Sequence, residues 1–166
     1  MTSTGNHAPK SQSTLGFTLI ELMIAIAVLA ILVTVALPSF RTVIEGNRAA
    51  TLANEVITAL SYARAEAIRR GAPVTLCASA DQASCANSTD WAAGWILVDE
   101  SNVLIRTWSQ IPDSVTLTGP ANLVFVGNGT LNQAPLQDFC LTVSAAQSRI
   151  IEVNRVGRAR VEAATC

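Results

Sequence analysis

The fold is decided near the N-terminus by the stretch Gly16-Phe17-Thr18-Leu19-Ile20-Glu21-Leu22-Met23-Ile24-Ala25-Ile26-Ala27. A polar segment, residues 1–15, precedes it, and 19 residues without a charge follow from Leu22 to Phe40. A secretory signal has the reverse order, with its apolar core before a small-residue cleavage site. The uncharged run approaches the roughly 20 residues that a helix needs to cross a bilayer. We therefore expect a cleavable leader that ends at Gly16, followed by a transmembrane helix.

The acidic residue in this stretch is anomalous. Glu21 stands at the edge of the apolar run, where a carboxylate costs about 2.5–3.5 kcal/mol on membrane-insertion scales. Such a residue needs a function to offset its cost. A plain transmembrane anchor with an interfacial Glu is the alternative, but it explains neither Gly16 nor the polar leader.

This N-terminal stretch resembles the type IV prepilin family. The resemblance implies cleavage after Gly16 by a prepilin peptidase and N-methylation of Phe17. It also implies that Glu21 pairs with the methylated amine of its own chain or of a neighbour, which sets the register of assembly. The subunit would wait in the inner membrane as a single-pass protein with its head in the periplasm. An inner-membrane assembly platform would then add it, with other minor and major pilins, to a pilus at the cell surface.

Beyond the apolar run, helical periodicity continues up to a glycine. Residues recur at helical spacing in the stripe Leu52, Val56, Leu60 and Ala63. We predict one helix from Phe17 to Arg70, kinked or locally melted at Pro38, which lacks a backbone donor. Gly71 should cap the helix and Pro73 should stop it.

After the glycine the pattern changes to short runs of β-forming residues separated by turn residues. The predicted strands are Val74–Cys77, Gly94–Val98, Val103–Trp108, Val115–Thr118, Leu123–Val126, Phe139–Val143, Arg149–Val153 and Ala159–Glu162. Their connections are too short for parallel crossovers. The expected fold class is therefore α+β and pilin-like, with a long N-terminal helix packed on a small antiparallel β-sheet head. We divide the chain into a leader (1–16), a transmembrane and assembly helix (17–40) and a pilin head (41–166).

Four cysteines, Cys77, Cys85, Cys140 and Cys166, form an even set without a Cys-x-x-Cys pair. The only histidine, His7, lies in the leader, so we expect no metal site. Two disulfides in an oxidising compartment fit this pattern better. Three pairings are open in principle, and closure of local loops favours Cys77–Cys85 and Cys140–Cys166.

Enzymatic chemistry is not expected. After cleavage the chain contains no His and no Lys, so the usual proton shuttles are missing. Oxidised cysteines would supply no thiolate nucleophile. The neighbouring carboxylates Asp99 and Glu100 are explained by a turn between two strands. We therefore predict neither an enzyme nor a bound cofactor.

The head also resembles a known family. The run Ala63–Gly71, followed by Val74–Cys77, Gly94-Trp95 and Ile105-Arg106, is similar to the GspH/FimT family of minor pilins and pseudopilins, over nearly the whole mature chain. The resemblance implies a minor pilin near the tip of a type IV pilus, within a priming complex. A type II secretion pseudopilin of the GspH branch is the alternative, and the sequence does not separate the two.

The C-terminal part is locally basic, although the net charge of the chain is -1. Four arginines, Arg149, Arg155, Arg158 and Arg160, fall within 12 positions and are opposed only by Glu152. On a strand, Arg158 and Arg160 would project from one face about 6.6–7 Å apart, near the spacing of successive phosphates. Gly157 would allow a sharp turn or a close backbone approach.

This Gly-Arg-x-Arg pattern resembles the C-terminal motif with which FimT-type minor pilins bind DNA during natural transformation. The resemblance implies DNA as a further partner, contacted by Arg155, Gly157, Arg158 and Arg160. The other interpretation is a solvated strand edge whose charges discourage edge-to-edge pairing. Both interpretations remain open on the sequence.

Overall fold

The computed structural model describes residues 16–133 and 136–166, and within these ranges the side chains of residues 35–39 and 136 lie outside the description. The elements are α1 (Leu19–Arg70), β1 (Val74–Ala78), β2 (Trp95–Asp99), β3 (Leu104–Trp108), β4 (Thr116–Thr118), β5 (Asn122–Phe125), β6 (Leu136–Ser144), β7 (Gln147–Asn154) and β8 (Ala159–Glu162). The chain divides into two compact units, with the boundary between Phe40 and Arg41.

In the first unit, the large apolar side chains of α1 are exposed to solvent. Phe17 is 86% exposed, and the aliphatic residues up to Val33 are between 43% and 77% exposed. Among the residues that the structure describes, no helix combines the length and the apolar character needed to cross a membrane. The exposed surface is larger than a soluble monomer usually tolerates.

In the second unit, α1 buries one face and then ends at a glycine. The buried positions recur every three or four residues: Ala49, Ala53, Val56, Ala59, Leu60, Ala63 and Ala67. Gly71 adopts a left-handed backbone with φ 64°, and its N–H donates to the carbonyl of Ile68 at 3.2 Å. This is the C-cap that the sequence predicted.

The eight strands form two antiparallel sheets rather than the single sheet that we expected. The first sheet has the order β3-β2-β1-β5 and the second has the order β4-β6-β7-β8. The chain leaves the first sheet after β3 to form β4, then returns as β5 to pair with β1. The division places apolar faces of both sheets and the buried face of α1 in one core.

Trp91, in the connection between β1 and β2, packs on the second sheet within this core. The rings of Trp91 and Phe139 meet edge to face with their centroids 4.8 Å apart, a geometry that adds about 0.5–1.5 kcal/mol beyond burial. The indole N–H of Trp91 also donates to the carbonyl of Pro120 at 2.9 Å. Because Phe139 lies on β6, these contacts fix the second sheet, which carries the β7–β8 turn.

Candidate functional site

The predicted processing site lies just before the helix. Gly16 and Phe17 are exposed and have no regular secondary structure. The Thr18 hydroxyl accepts a hydrogen bond from the backbone N–H of Glu21 at 3.3 Å, which caps the first turn of α1. Thr18 and Glu21 have the spacing of a capping box, a signal that our sequence reasoning missed. Glu21 therefore also has a local role, because an acid is favourable at a helix N-terminus.

The backbone of residues 35–39 continues α1. Their side chains lie outside the described part of the structure, so the kink expected at Pro38 stays a prediction.

Both disulfides are formed in the head. Cys77, at the end of β1, is bonded to Cys85 with a Cα–Cα distance of 5.6 Å, and Cys140, on β6, is bonded to Cys166 with a Cα–Cα distance of 5.8 Å. This is the pairing that local loop closure favoured. No group of three or more His, Cys, Asp or Glu side chains within residues 16–133 and 136–166 could hold a metal ion.

The turn between β7 and β8 (residues 155–158, the arginine turn) is stabilised by hydrogen bonds to one asparagine. The Asn154 backbone N–H donates to the Arg158 carbonyl at 3.1 Å, and the Asn154 carbonyl accepts from the N–H of Gly157 at 2.8 Å. The Asn154 side-chain oxygen accepts from the N–H of Arg158 at 2.9 Å. These three bonds fix the backbone that presents Arg155 and Arg158.

Gly157 is required by both backbone angle and space. Its φ is 74°, a region that side chains disfavour. A Cβ at this position would lie 2.6 Å from the carbonyl oxygen of Gly129. The sequence predicted a sharp turn or a close approach at Gly157, and the structure has both.

Two of the four clustered arginines are exposed and unpaired. Within the described residues, Arg155 and Arg158 have exposed side chains and make no ion pair. The carbonyl of Arg155 accepts from the N–H of Leu131 at 2.8 Å, so the backbone of the turn is tied down while both side chains face solvent.

Arg160 is different, because β-sheet pairing supplies it with acids. Glu152 lies opposite Arg160 in the register of β7 and β8. The Nε of Arg160 donates to Oε2 of Glu152 at 2.7 Å, and its Nη2 lies 3.3 Å from Oε1 of Glu162. The bond to Glu152, and then the charges of both acids, raise the pKa of Arg160. Arg158 and Arg160 line one open pocket of about 510 Å³, but Glu152 lines it too.

The fourth arginine of the cluster lies elsewhere. Arg149 pairs with Leu141 near the other end of β7. Its Nε is buried and has no hydrogen-bond partner in the described structure.

A fifth arginine, which lies outside the Gly-Arg-x-Arg pattern, reaches the arginine turn from α1. A Cβ added to Gly157 would lie 3.1 Å from Cδ of Arg64, and one added to Gly129 would lie 3.2 Å from its Nε. Arg64 and Gly157 are 93 positions apart in the sequence, so no local sequence motif contains both.

Glu66, a buried acid that accepts hydrogen bonds from two arginines, has a structural role. Glu66 is 7% exposed and accepts hydrogen bonds from Arg69 at 2.9 and 2.6 Å and from Arg70 at 2.6 Å. The bonds from Arg69, then those from Arg70, lower the pKa of Glu66 from 4.5 to about 2. Arg70 also lies 3.6 Å from Asp99, which ties the end of α1 to β2. The Asp99 carboxylate accepts from the N–H groups of Ser101 and Val103, as expected of a turn.

Comparison with known families identifies the class of protein. Residues 52–157 match the family described as Type II transport protein GspH, and residues 13–37 match the prokaryotic N-terminal methylation motif. The chain belongs to the GspH family. It is a pilin-like protein, a minor pilin or pseudopilin of the kind that builds type IV pili and type II secretion systems.

Two crystal structures of the type IV minor pilin FimU from Pseudomonas aeruginosa (strain PAO1) share the fold at 23% sequence identity. The structure in space group P65 aligns with a TM-score of 0.56, over 68% of this chain and 90% of FimU. The structure in space group P21 aligns with a TM-score of 0.58, over 70% and 89%. A comparison with curated protein sequences found no match. The FimU structures therefore support the α+β pilin fold.

Proposed function

We propose that this chain is a minor pilin that assembles near the tip of a type IV pilus, within a priming complex of other minor pilins. The observation that carries the proposal is the methylation motif of residues 13–37 on the chain that also forms a compact, disulfide-bonded head. The head shares its fold with the minor pilin FimU, which supports the pilus, and matches the GspH family, which keeps the secretion system as the alternative.

Maturation would begin at the Gly16–Phe17 bond. A prepilin peptidase would cleave after Gly16 and methylate the new amine of Phe17, and the exposed backbone at both residues supports such access. Glu21 would then pair with a methylated amine, its own or that of a neighbour, and set the register of assembly.

The apolar half of α1 would serve two environments in turn. The uncharged run from Leu22 to Phe40, which includes residues 35–39, would hold the subunit in the inner membrane as a single pass. The head would stand in the periplasm. After extraction by the assembly platform, helices of other minor and major pilins would cover the same exposed side chains.

The alternative is a pseudopilin of a type II secretion system, and one deletion experiment separates the two functions. An in-frame deletion should reduce the number of surface pili and leave type II secretion unchanged, and the wild-type chain supplied in trans should restore the pili. A chain with Gly16 replaced by Trp serves as the processing-dead control. Normal pili together with a secretion defect would establish the pseudopilin function instead.

A second candidate function is contact with DNA at the arginine turn, for DNA uptake in natural transformation. It is favoured by the exposed, unpaired side chains of Arg155 and Arg158. Arginine suits this contact because its planar fork forms paired hydrogen bonds with phosphate. Binding would be weak and independent of sequence, since no helix is placed to read bases. With two phosphates neutralised, log affinity for duplex DNA should fall against log salt with a slope of about -1.8.

A further inference from the structure

We propose that Arg64 on α1 and Arg158 in the arginine turn together form an oxyanion site for a phosphate group of a nucleic-acid backbone. The proposal rests on the second candidate function above and deepens it. It names a helix residue outside the Gly-Arg-x-Arg pattern as part of the site, and it leaves out Arg160.

The two arginines line one pocket between the helix and the turn. The open pocket has a volume of about 310 Å³. Ser61, Arg64 and Ile68 line it from α1, and Gly157 and Arg158 line it from the arginine turn. No carboxylate lines this pocket, whereas Glu152 lines the neighbouring pocket, which Arg158 shares with Arg160.

Arg64 is held in place but left without an acceptor. Its Nε is buried and has no hydrogen-bond partner among the described residues. Its stem lies against Gly129 and Gly157, where an added Cβ would come within 3.2 and 3.1 Å of Arg64 atoms. A buried donor of a charged group is unfavourable when it stays unpaired. Because this Nε is closed to solvent, a ligand in the pocket would bind the terminal nitrogens of the Arg64 guanidinium and stabilise the buried charge.

The surrounding charges point to an anion. Arg69, Arg70 and Arg160 are each paired with a carboxylate, whereas Arg64 and Arg158 make no ion pair within the described residues. Arg48 shares this property, but Arg64 and Arg158 also line one pocket together. Two like charges that share a pocket repel each other unless a negative group lies between them. Since guanidinium groups present paired donors, two of them can hold the oxygens of one phosphate.

A polymer with repeated negative charges explains the arginine turn better than a single carboxylate does. Arg155 is a third unpaired, exposed arginine and lies in the same turn as Arg158. Three cations that make no ion pair among the described residues suit a polymer that carries one negative charge per unit. Nucleic acid is such a polymer, and backbone contacts of this kind do not depend on base sequence.

The test measures binding of the full-length chain, purified in detergent, to a fluorescent duplex DNA across a salt series. The wild type should show a slope of about -1.8, which corresponds to two neutralised phosphates, one shared by Arg64 and Arg158 and one at Arg155. Arg64→Gln and Arg158→Gln should each weaken binding about tenfold at low salt, and the double variant should make the slope shallower by about 0.9 because the two arginines share one phosphate. Arg48→Gln, which removes a half-buried and unpaired arginine of the same helix, is the matched control and should bind like the wild type.

Further arms separate a binding role from a structural one. Arg64→Lys keeps the charge and the stem, so it should melt like the wild type and recover part of the lost affinity. DNA binding that is unchanged in Arg64→Gln would overturn the site while leaving the second candidate function intact. A wild type that binds no duplex DNA at low salt would overturn both. Equal or tighter Arg64-dependent binding of polyglutamate would assign the site to an acidic protein and overturn the phosphate assignment.

Discussion

Arg160 and Glu152 face each other across β7 and β8, and Nε of the guanidinium donates to Oε2 of the carboxylate at 2.7 Å. The pair lies on the edge of the second sheet, because β8 is its last strand. Charged side chains on an edge strand discourage pairing with other chains. For Arg160, the edge-strand interpretation of the basic segment therefore fits the geometry, whereas Arg155 and Arg158 make no ion pair within the described residues.

The first prediction follows from this pair. Glu152→Gln removes a carboxylate that lines the same pocket as Arg158 and should raise the affinity for duplex DNA by about two- to fivefold at low salt, the range that an exposed ion pair supports. Fluorescence anisotropy of the wild type and the variant measures the change. Glu100→Gln removes an equal charge from the β2–β3 turn, which lines neither pocket of Arg158, and should change little. If Glu152→Gln binds no better than Glu100→Gln, Glu152 has no influence on the phosphate contact of Arg158.

The order of the helix and strands was predictable because it depends on local sequence patterns. Helical periodicity located the end of α1 at Arg70, and every predicted strand has a counterpart in the structure. The division into two sheets was not predictable, because alternation shows that a strand exists but not which strand it joins. Nothing local in Asn122–Phe125 indicates that it pairs with Val74–Ala78 rather than with its neighbour β4.

The site was predictable only in part, for a similar reason. Gly157 signalled a special backbone position, and the structure has one. The partner of Arg160 depends on the register of two strands, which sequence spacing does not reveal. Arg64 meets the arginine turn only through tertiary packing against Gly129 and Gly157. The capping box of Thr18 and Glu21 could have been predicted from the sequence. It was missed because Glu21 already had a functional explanation.

The second prediction concerns processing. In Gly16→Trp the predicted leader, residues 1–16, should stay attached to the rest of the chain. A bulky residue would not fit a peptidase site that accepts glycine. Mass spectrometry of the membrane-extracted chain measures the retained leader, and Ser13→Ala provides a control within the leader. A variant with the mature mass of the wild type would place the cleavage elsewhere.

The third prediction separates the two roles of Glu21. Glu21→Ala should stay in the membrane, because the apolar run is intact, but should fail to enter pili for lack of a carboxylate partner for the Phe17 amine. Thr18→Ala removes the helix cap, at about 1 kcal/mol, and keeps the carboxylate, so it should still assemble. Immunoblots of sheared pili and of membranes measure both outcomes. Normal incorporation of Glu21→Ala would remove the assembly role.

The fourth prediction concerns the disulfides. A head that begins at Arg41 should be soluble, because the buried core and both disulfides lie within residues 41–166. Periplasmic material should show no free thiol under denaturing conditions. Replacing both Cys140 and Cys166 by Ser should lower the free energy of unfolding by about 3 kcal/mol through the entropy of the opened loop. Urea titration measures this loss, and a stability equal to the wild type would contradict it.

The last prediction is a pH dependence that arises from Glu66. Its pKa is lowered to about 2 by Arg69 and Arg70, so the folded state favours the charged form. A group with a depressed pKa stabilises the fold above its unfolded value, near 4.5, and this contribution is lost as the pH falls from 4.5 toward 2.

Glu66→Gln should therefore destabilise the head by about 2 kcal/mol at pH 7, and the difference from the wild type should shrink between pH 4.5 and 2. Arg69→Gln, which keeps the bond from Arg70, should lose only part of the stabilisation. Urea titrations of the three proteins at pH 7, 4.5, 3 and 2 test this. A wild-type advantage that persists unchanged at pH 2 would show that Glu66 acts through packing instead of charge, because protonation would then leave its contribution untouched.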